Sequence, residues 1–155
     1  MKIRKAKNND LKQIVEAYKK AFVKLGVGEK WTDNSAQKLM QYWLKRQPDL
    51  FFVAEINNKI VGGFVAGIKP WWNGNHLVEG ELFVHPNYQN LGIGTKLSKI
   101  MYQTAIKKYK IINVQGATFK NKKFPLIWHK SKGFSENKNW ILIEANPRIL
   151  LRSLK

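Results

Sequence analysis

Glu79 and Glu81 stand two residues apart in a run that ends at Val84. On a strand, residues two apart share a face. The spacing therefore predicts both carboxylates on one side with Phe83, and Leu82 and Val84 on the other. Two carboxylates side by side can lift one pKa toward neutrality, which suits a general base. The same pair would equally counter nearby lysines or hold a cationic substrate. Downstream runs His85-Pro86-Asn87-Tyr88-Gln89-Asn90-Leu91-Gly92-Ile93-Gly94-Thr95. Gly92 and Gly94 let backbone amides approach a ligand with no side chain in the way. Leu97, Ile100, Met101 and Ala105 then recur at helical spacing. A helix opening behind such a loop directs free N–H groups and the positive end of its dipole at one spot, an anion site suited to a pyrophosphate. A tight strand-to-helix turn without a ligand is the plain alternative.

The elements that must position these groups follow from periodicity and punctuation. Lys2 to Lys7 reads as a first strand. Asn9 or Asp10 caps a helix with Leu11, Ile14, Val15, Tyr18 and Phe22 on one face, broken by Gly26-Val27-Gly28. Asp33, Asn34 or Ser35 opens a second helix whose face is Ala36, Leu39, Met40, Trp43 and Leu44. Leu50 to Ile56 and Lys59 to Ile68 form a hairpin about Asn57-Asn58. Pro70 to Asn75 is a loop, and His76 to Val84 is the fourth strand. Ile111 to Phe119 is a fifth strand, and Pro125 begins a fourth helix that stops at Gly133. Ser135 to Ala145 and Arg148 to Leu154 read as a closing hairpin turning at Asn146-Pro147. Spacing alone gives a mixed α/β or α+β domain over residues 1–155.

The loop resembles the acyl-CoA pyrophosphate loop of the GNAT superfamily of N-acetyltransferases, Gln/Arg-x-x-Gly-x-Gly/Ala. Gln89, Gly92 and Gly94 match it position by position. The lead-in Leu82-Phe83-Val84-His85-Pro86-Asn87-Tyr88 is similar to the family's apolar–Tyr–Val–x–Pro–x–Tyr, with Phe83 for the usual Tyr. The element order also resembles the GNAT fold along essentially the whole chain. That resemblance implies a mixed central sheet splayed between the fourth and fifth strands, with helices on both faces. It implies acetyl-CoA as cosubstrate, its pantetheine arm along Leu82, Phe83 and Val84. Its pyrophosphate would take the amides of Gln89, Asn90, Leu91, Gly92, Ile93, Gly94 and Thr95. The implied reaction is acetyl transfer to a primary amine by direct attack; no candidate nucleophile pairs with a base in the sequence. Glu81 and Glu79 are the candidate bases. Ile127-Trp128-His129-Lys130-Ser131-Lys132-Gly133-Phe134 resembles the family's Leu-Tyr-x-x-x-Gly-Phe helix end. His129 stands where a tyrosine commonly protonates the departing thiolate. A histidine can do that work, or it can be a surface residue of a lysine-rich helix. Asn121 lies within one residue of an asparagine that often holds the pantetheine, or it simply caps a turn. The acceptor would meet the first two helices and the loop after the third strand, where Trp31, Tyr42, Trp43, Trp71 and Trp72 lie.

Composition bounds the rest. The 155 residues are 44% hydrophobic with 19 aromatics, which argues for a packed core. There is no cysteine, so disulfides, thiolate metal sites and a cysteine nucleophile are excluded, and His76, His85 and His129 show no metal spacing. No apolar run approaches the ~20 residues of a membrane helix, and Met1-Lys2-Ile3-Arg4-Lys5-Ala6 is not followed by an apolar signal segment. A cytoplasmic monomer or homodimer is the expectation. The formal charge of +18 is uneven: residues 82–155 hold 14 Lys/Arg against Glu136 and Glu144. Coenzyme A, a multiply charged anion, accounts for a basic cofactor half. A basic binding module for RNA or a protein is the alternative, disfavoured because lysine far outnumbers the arginine expected for phosphate forks. A lysine-rich solvated surface is the bland reading.

Overall fold

A computed structural model describes residues Met1–Leu154; the side chains of Glu79 and Lys123 fall outside that description. The chain divides into two compact units, Met1–Ala117 and Thr118–Lys155.

The first unit is a five-stranded sheet in sequence order. β1 (Lys2–Lys5), β2 (Phe51–Ile56), β3 (Lys59–Trp71) and β4 (Gly74–Val84) are antiparallel, and β5 (Asn113–Val114) lies parallel to β4 at the edge. On one face lie α1 (Leu11–Leu25) and α2 (Asp33–Arg46), joined by the predicted glycine break. Their stripes bury Ile14, Tyr18, Ala36, Met40 and Trp43 against Val53, Val65 and Phe83. On the other face α3 (Ile93–Tyr109) packs Ile93, Leu97, Met101 and Ala105 against Phe52, Ala54, Phe64 and Leu77. This is the expected mixed sheet with helices on both faces.

Local chemistry moves several boundaries. Asp10 does not cap α1 through its side chain. It accepts from both Arg4 terminal nitrogens at 2.6 and 2.8 Å and from the Lys7 N–H at 2.8 Å, and so closes the single 3-10 turn that feeds α1. The cap of α2 is Thr32, whose Oγ1 accepts the Ser35 N–H at 3.1 Å while Ser35 Oγ accepts the Thr32 N–H at 2.9 Å. Asp33 instead sits in the first turn and pairs with Lys19 Nζ at 2.6 Å. The turn at Asn57-Asn58 forms as predicted, with φ of 48° and 60°. The expected loop at Pro70–Asn75 is largely paired: Pro70 faces Asn75 and Trp71 faces Gly74, so only Trp72-Asn73 turns the hairpin.

The second unit holds α4 (Lys123–Ser131) and α5 (Pro147–Ser153). Phe124 is extended (φ −95°, ψ 133°), as a residue before proline prefers, and helical geometry starts at Pro125 as predicted. The closing hairpin is absent. Ser135–Ala145 carries no regular element, and Arg148–Leu154 is mostly helix. The Asn146 side chain accepts the Arg148 N–H at 2.9 Å and Pro147 takes the first helical position. That is a helix start rather than a strand turn, because cap and proline satisfy the end that a hairpin would leave open. Among the described residues no helix is long and apolar enough to cross a membrane.

One polar clasp ties the connection after α2 to the end of α3. Asp49 accepts from Lys108 Nζ at 2.5 Å, Tyr109 Oη at 2.5 Å and Gln47 Nε2 at 2.8 Å. Burial pushes the Asp49 carboxyl up, but those three donors outweigh it and hold it at about 2. A carboxylate depressed on folding stabilises above its unfolded pKa, and the contribution is lost as pH falls through the folded value. Asp49→Asn should therefore lower stability by about 2 kcal/mol at pH 7, with the difference closing between pH ~4 and ~2. Urea unfolding of both proteins across that range measures it; a gap that persists at pH 2 would mean shape, not charge, is what Asp49 supplies.

Candidate functional site

β4 carries the chemistry because its two edges have different fates. One edge is paired with β3 over its length. The other meets β5 only at His76–Asn113 and Leu77–Val114, with flanking bonds from Ile112 N–H to Asn75 O and Gln115 N–H to Leu77 O, both 2.9 Å. Beyond Gln115 the chain leaves the sheet. The predicted nine-residue fifth strand, Ile111–Phe119, is therefore two residues long, and among the described residues β4 from Val78 onward has no strand on that side. A strand edge with free N–H and C=O groups accepts an extended ligand arm. Leu82, Phe83 and Val84 lie along it.

The pleat of β4 is interrupted. Val65 pairs with Glu81 but Gly67 pairs with Val78, so β4 holds one extra residue between them. Leu77 and Leu82 consequently reach the same α3 face although they are five apart. Alternation cannot carry the face of Glu81 back to Glu79, whose side chain lies outside the described residues. Beyond the bulge the predicted alternation holds: Phe83 joins the α1–α2 core, while Leu82 and Val84 pack toward α3. Phe83 lies so close over Gly63 that a Cβ there would come within 2.6 Å of its ring.

Glu81, half-buried on β4, is met by a phenol from α1. Tyr18 Oη donates to Glu81 Oε2 at 3.2 Å. The Tyr18 ring meets Phe22, Trp31 and Phe83 at centroid distances of 4.5, 5.2 and 5.3 Å. Trp31 Nε1 in turn donates to Glu29 at 2.7 Å. Burial pushes the Glu81 carboxyl up to about 7, against the Tyr18 hydrogen bond and with the help of the Glu29 charge. Burial is thus the main reason that Glu81 can take a proton near neutral pH. Sequence reading placed Tyr18 only in a core stripe; the signal available was a phenol on an apolar face, which needs a polar partner when buried. Of the aromatics considered for the acceptor, Trp43 is 3% exposed core. Trp72 is 87% exposed at the β3–β4 tip, and Lys69 Nζ lies 4.2 Å above the ring of Trp71.

Past Val84, Pro86–Tyr88 makes one 3-10 turn, and Gln89 Nε2 reaches back to the Val84 carbonyl at 3.0 Å. Asn90 and Gly92 both take left-handed conformations, φ 62° and 73°. A Cβ on Gly92 would meet nothing within 4 Å, so the approach to the loop is open. Ile93, 2% exposed, pins the start of α3 into the core. The first intrahelical bond runs from Lys96 N–H to Gly92 O at 3.1 Å, which leaves the amides of Ile93, Gly94 and Thr95 without helical acceptors. With no side chain at Gly92 or Gly94, these donors fit an anionic group such as a pyrophosphate.

In the second unit, His129 lies between Trp128 and Phe134, ring centroids 5.1 and 5.2 Å away. Its Nδ1 is buried without a hydrogen-bond partner, and burial lowers its pKa. Asn121 is exposed in the turn before α4.

The sequence profile of the Acetyltransferase (GNAT) family matches residues 11–124. The chain belongs to the GNAT acetyltransferase family. It is 31% identical over 146 residues to an uncharacterised N-acetyltransferase of Methanocaldococcus jannaschii, MJ1207, covering 90% of this chain and 64% of that protein. It is 33% identical over 101 residues to a second from the same organism, MJ1530, covering 65% of this chain and 56% of the other. The chain thus spans about 60% of the length of these curated relatives. In fold it is similar to a predicted acetyltransferase of Clostridium acetobutylicum solved with acetyl-CoA: TM-score 0.73, 19% identity, 92% of this chain and 95% of that one.

The environment of Glu81 makes a prediction that needs no substrate. An acid whose folded pKa is raised loses stability as pH climbs from its unfolded value to its folded one, and stays penalised above. Glu81→Gln should therefore unfold at higher denaturant than wild type above pH 7, by on the order of 2 kcal/mol, with no difference near pH 4. Chemical denaturation at both pH values checks it. A variant destabilised at pH 8 would show that the charged carboxylate is comfortable where it sits.

Proposed function

We propose that this GNAT protein transfers acetyl from acetyl-CoA to a primary amine by direct attack, with Glu81 as base. The observation that carries the proposal is a near-neutral carboxyl, hydrogen-bonded by a buried tyrosine, on the strand whose free edge runs into the Gly92–Gly94 loop. The loop amides of Gln89 to Thr95 would hold the pyrophosphate, and the edge of Leu82, Phe83 and Val84 the arm. Glu81 would take a proton from the ammonium form of the acceptor, directly or through water. The freed nitrogen lone pair forms the C–N bond at the thioester carbonyl while an edge N–H of β4 steadies the developing oxyanion; the nitrogen then gives its second proton to water and the C–S bond breaks. The thiolate then needs a proton.

Acetyl-CoA at ~100 times its Kd should stabilise the protein by about 2.7 kcal/mol, read as a thermal shift. Gly92→Asp should abolish that shift. Aspartate tolerates positive φ better than most residues, so this change adds charge at the loop more than it strains the fold. Short RNA in place of acetyl-CoA is the comparison for the +18 charge. A shift with RNA and none with acetyl-CoA would favour the binding-module reading.

His129 is proposed as the acid for the thiolate. Burial lowers its pKa and sets the terms: an imidazolium donor is populated only on the acid side of the ordinary histidine range, whereas Glu81 is basic above about 7. The pH–turnover profile should then be a narrow, low bell. His129→Tyr should move the alkaline limb upward, and His129→Phe should remove it and lower the rate. Superimposable profiles for the three proteins would assign the proton to water.

A further inference from the structure

Tyr18 has a fully buried ring, with a relative exposure of 0%. Phenylalanine would fill the same space with no polar atom to satisfy, since burying a hydroxyl is costly unless it is bonded. Its hydroxyl is spent on Glu81, donating to Oε2 at 3.2 Å. The ring cannot swing away from that bond, because Phe22 lies at 4.5 Å, Trp31 at 5.2 Å and Phe83 at 5.3 Å around it. Phe83 comes from the same strand as Glu81, so the clamp fixes the phenol relative to the carboxyl's own backbone. Trp31 is held in turn by Glu29 at 2.7 Å.

We propose that Tyr18 is a positioning residue that orients the Glu81 carboxyl and sustains its basic form, resting on the reading of Glu81 as the base. A hydrogen bond donated to a carboxylate favours the ionised state. The titratable groups acting on Glu81 are Tyr18 from α1 and Glu29 from the segment between α1 and α2. Its β3 neighbour is Val65, which carries no charge; the side chain of Glu79 on β4 is undescribed. Burial and the negative charge of Glu81 push the phenol above its ordinary range, so Tyr18 stays protonated and acts only as a donor. Tyr18 is thus the one described group that opposes the burial and the Glu29 charge, both of which disfavour ionised Glu81.

The test reads the carboxyl directly. Protein labelled with carboxyl-13C glutamate is titrated by NMR, with the Glu81 resonance assigned by its loss in Glu81→Gln. Tyr18→Phe should move the Glu81 midpoint upward by about one pH unit. Site-specific trifluorotyrosine at position 18 keeps the ring and offers a more acidic, stronger donor, and should move the midpoint downward. That second protein decides the matter if Tyr18→Phe folds poorly. Once an acceptor is found, the acid limb of kcat/KM, measured in the His129→Phe background where no alkaline limb is superimposed, should follow the midpoint in each protein, with the high-pH plateau held and turnover at pH 7 down about fivefold when Tyr18→Phe is added. A midpoint that stays put in both variants overturns the proposal. A midpoint that moves while the kinetic limb does not upholds the coupling of Tyr18 to Glu81 and overturns Glu81 as the base.

Discussion

β4 is committed to the sheet on one edge and released on the other, and the rest of the molecule is arranged around that asymmetry. β3 binds it along its length, while β5 holds it only at His76 and Leu77. A backbone edge inside a folded chain must find partners for its N–H and C=O groups. Where a neighbouring strand leaves, those partners are water or a ligand. The parting of β4 and β5 leaves one stretch of backbone open and lets the helices on either face set what surrounds it: α1 supplies the Tyr18 phenol that meets Glu81, and α3 presents its first-turn amides past the strand end.

Two carboxylates show how the same chain drives pKa values in opposite directions. Asp49 lies at about 2 and Glu81 at about 7. Both are penalised by burial; what differs is who reaches them. Lys108, Tyr109 and Gln47 converge on Asp49, whereas Glu81 has one phenol and looks toward the further negative charge of Glu29. In a protein with 28 basic and 10 acidic residues, Asp49 draws Lys108, whereas Glu81 is met by the Tyr18 phenol, whose ring packs against Phe22, Trp31 and Phe83. Net charge acts over long range on any anion that approaches, while burial and immediate neighbours set each carboxyl's pKa.

What could be read ahead of the structure was what depends on a few adjacent residues. The glycine loop, the stripes of α1 to α3, the Asn57-Asn58 turn and the Pro125 start are each fixed by neighbours in sequence, and each is present. The surroundings of Glu81 could not be counted along the strand: strict alternation puts it on one face with Glu79, yet the extra residue in β4 opposite Val65–Gly67 breaks that count. A bulge is set by cross-strand fit, which no single strand reveals. Tyr18 was hidden because a tyrosine within an apolar stripe looks like packing until its partner, 63 positions away, is known. Residues 148–154 look like a strand because short apolar runs do not distinguish strand from helix, whereas 111–119 does begin as one but pairs with β4 only at Asn113–Val114, an extent set by cross-strand partners. Asn146 and Pro147 carried the deciding helix-start signal and were read as a turn instead.

The order of features along β4 also constrains the ligand. From Glu81 to His85 the strand advances roughly 13 Å at about 3.3 Å per residue, and the anion-binding amides begin only after the turn beyond. A molecule that engages both ends must be long, anionic at one end and reactive at the other, with a middle able to pair like a strand. A small acyl donor such as an acyl phosphate could fill either end but not both. Distance thus separates two jobs that would conflict if superimposed. Backbone dipoles at the loop attract negative charge without needing a cation beside Glu81, and burial raises the carboxyl's pKa without repelling the phosphates. The extended edge between them lets binding energy at the loop be applied to orientation at the carboxyl, which is how a remote part of a substrate contributes to turnover rather than to affinity alone.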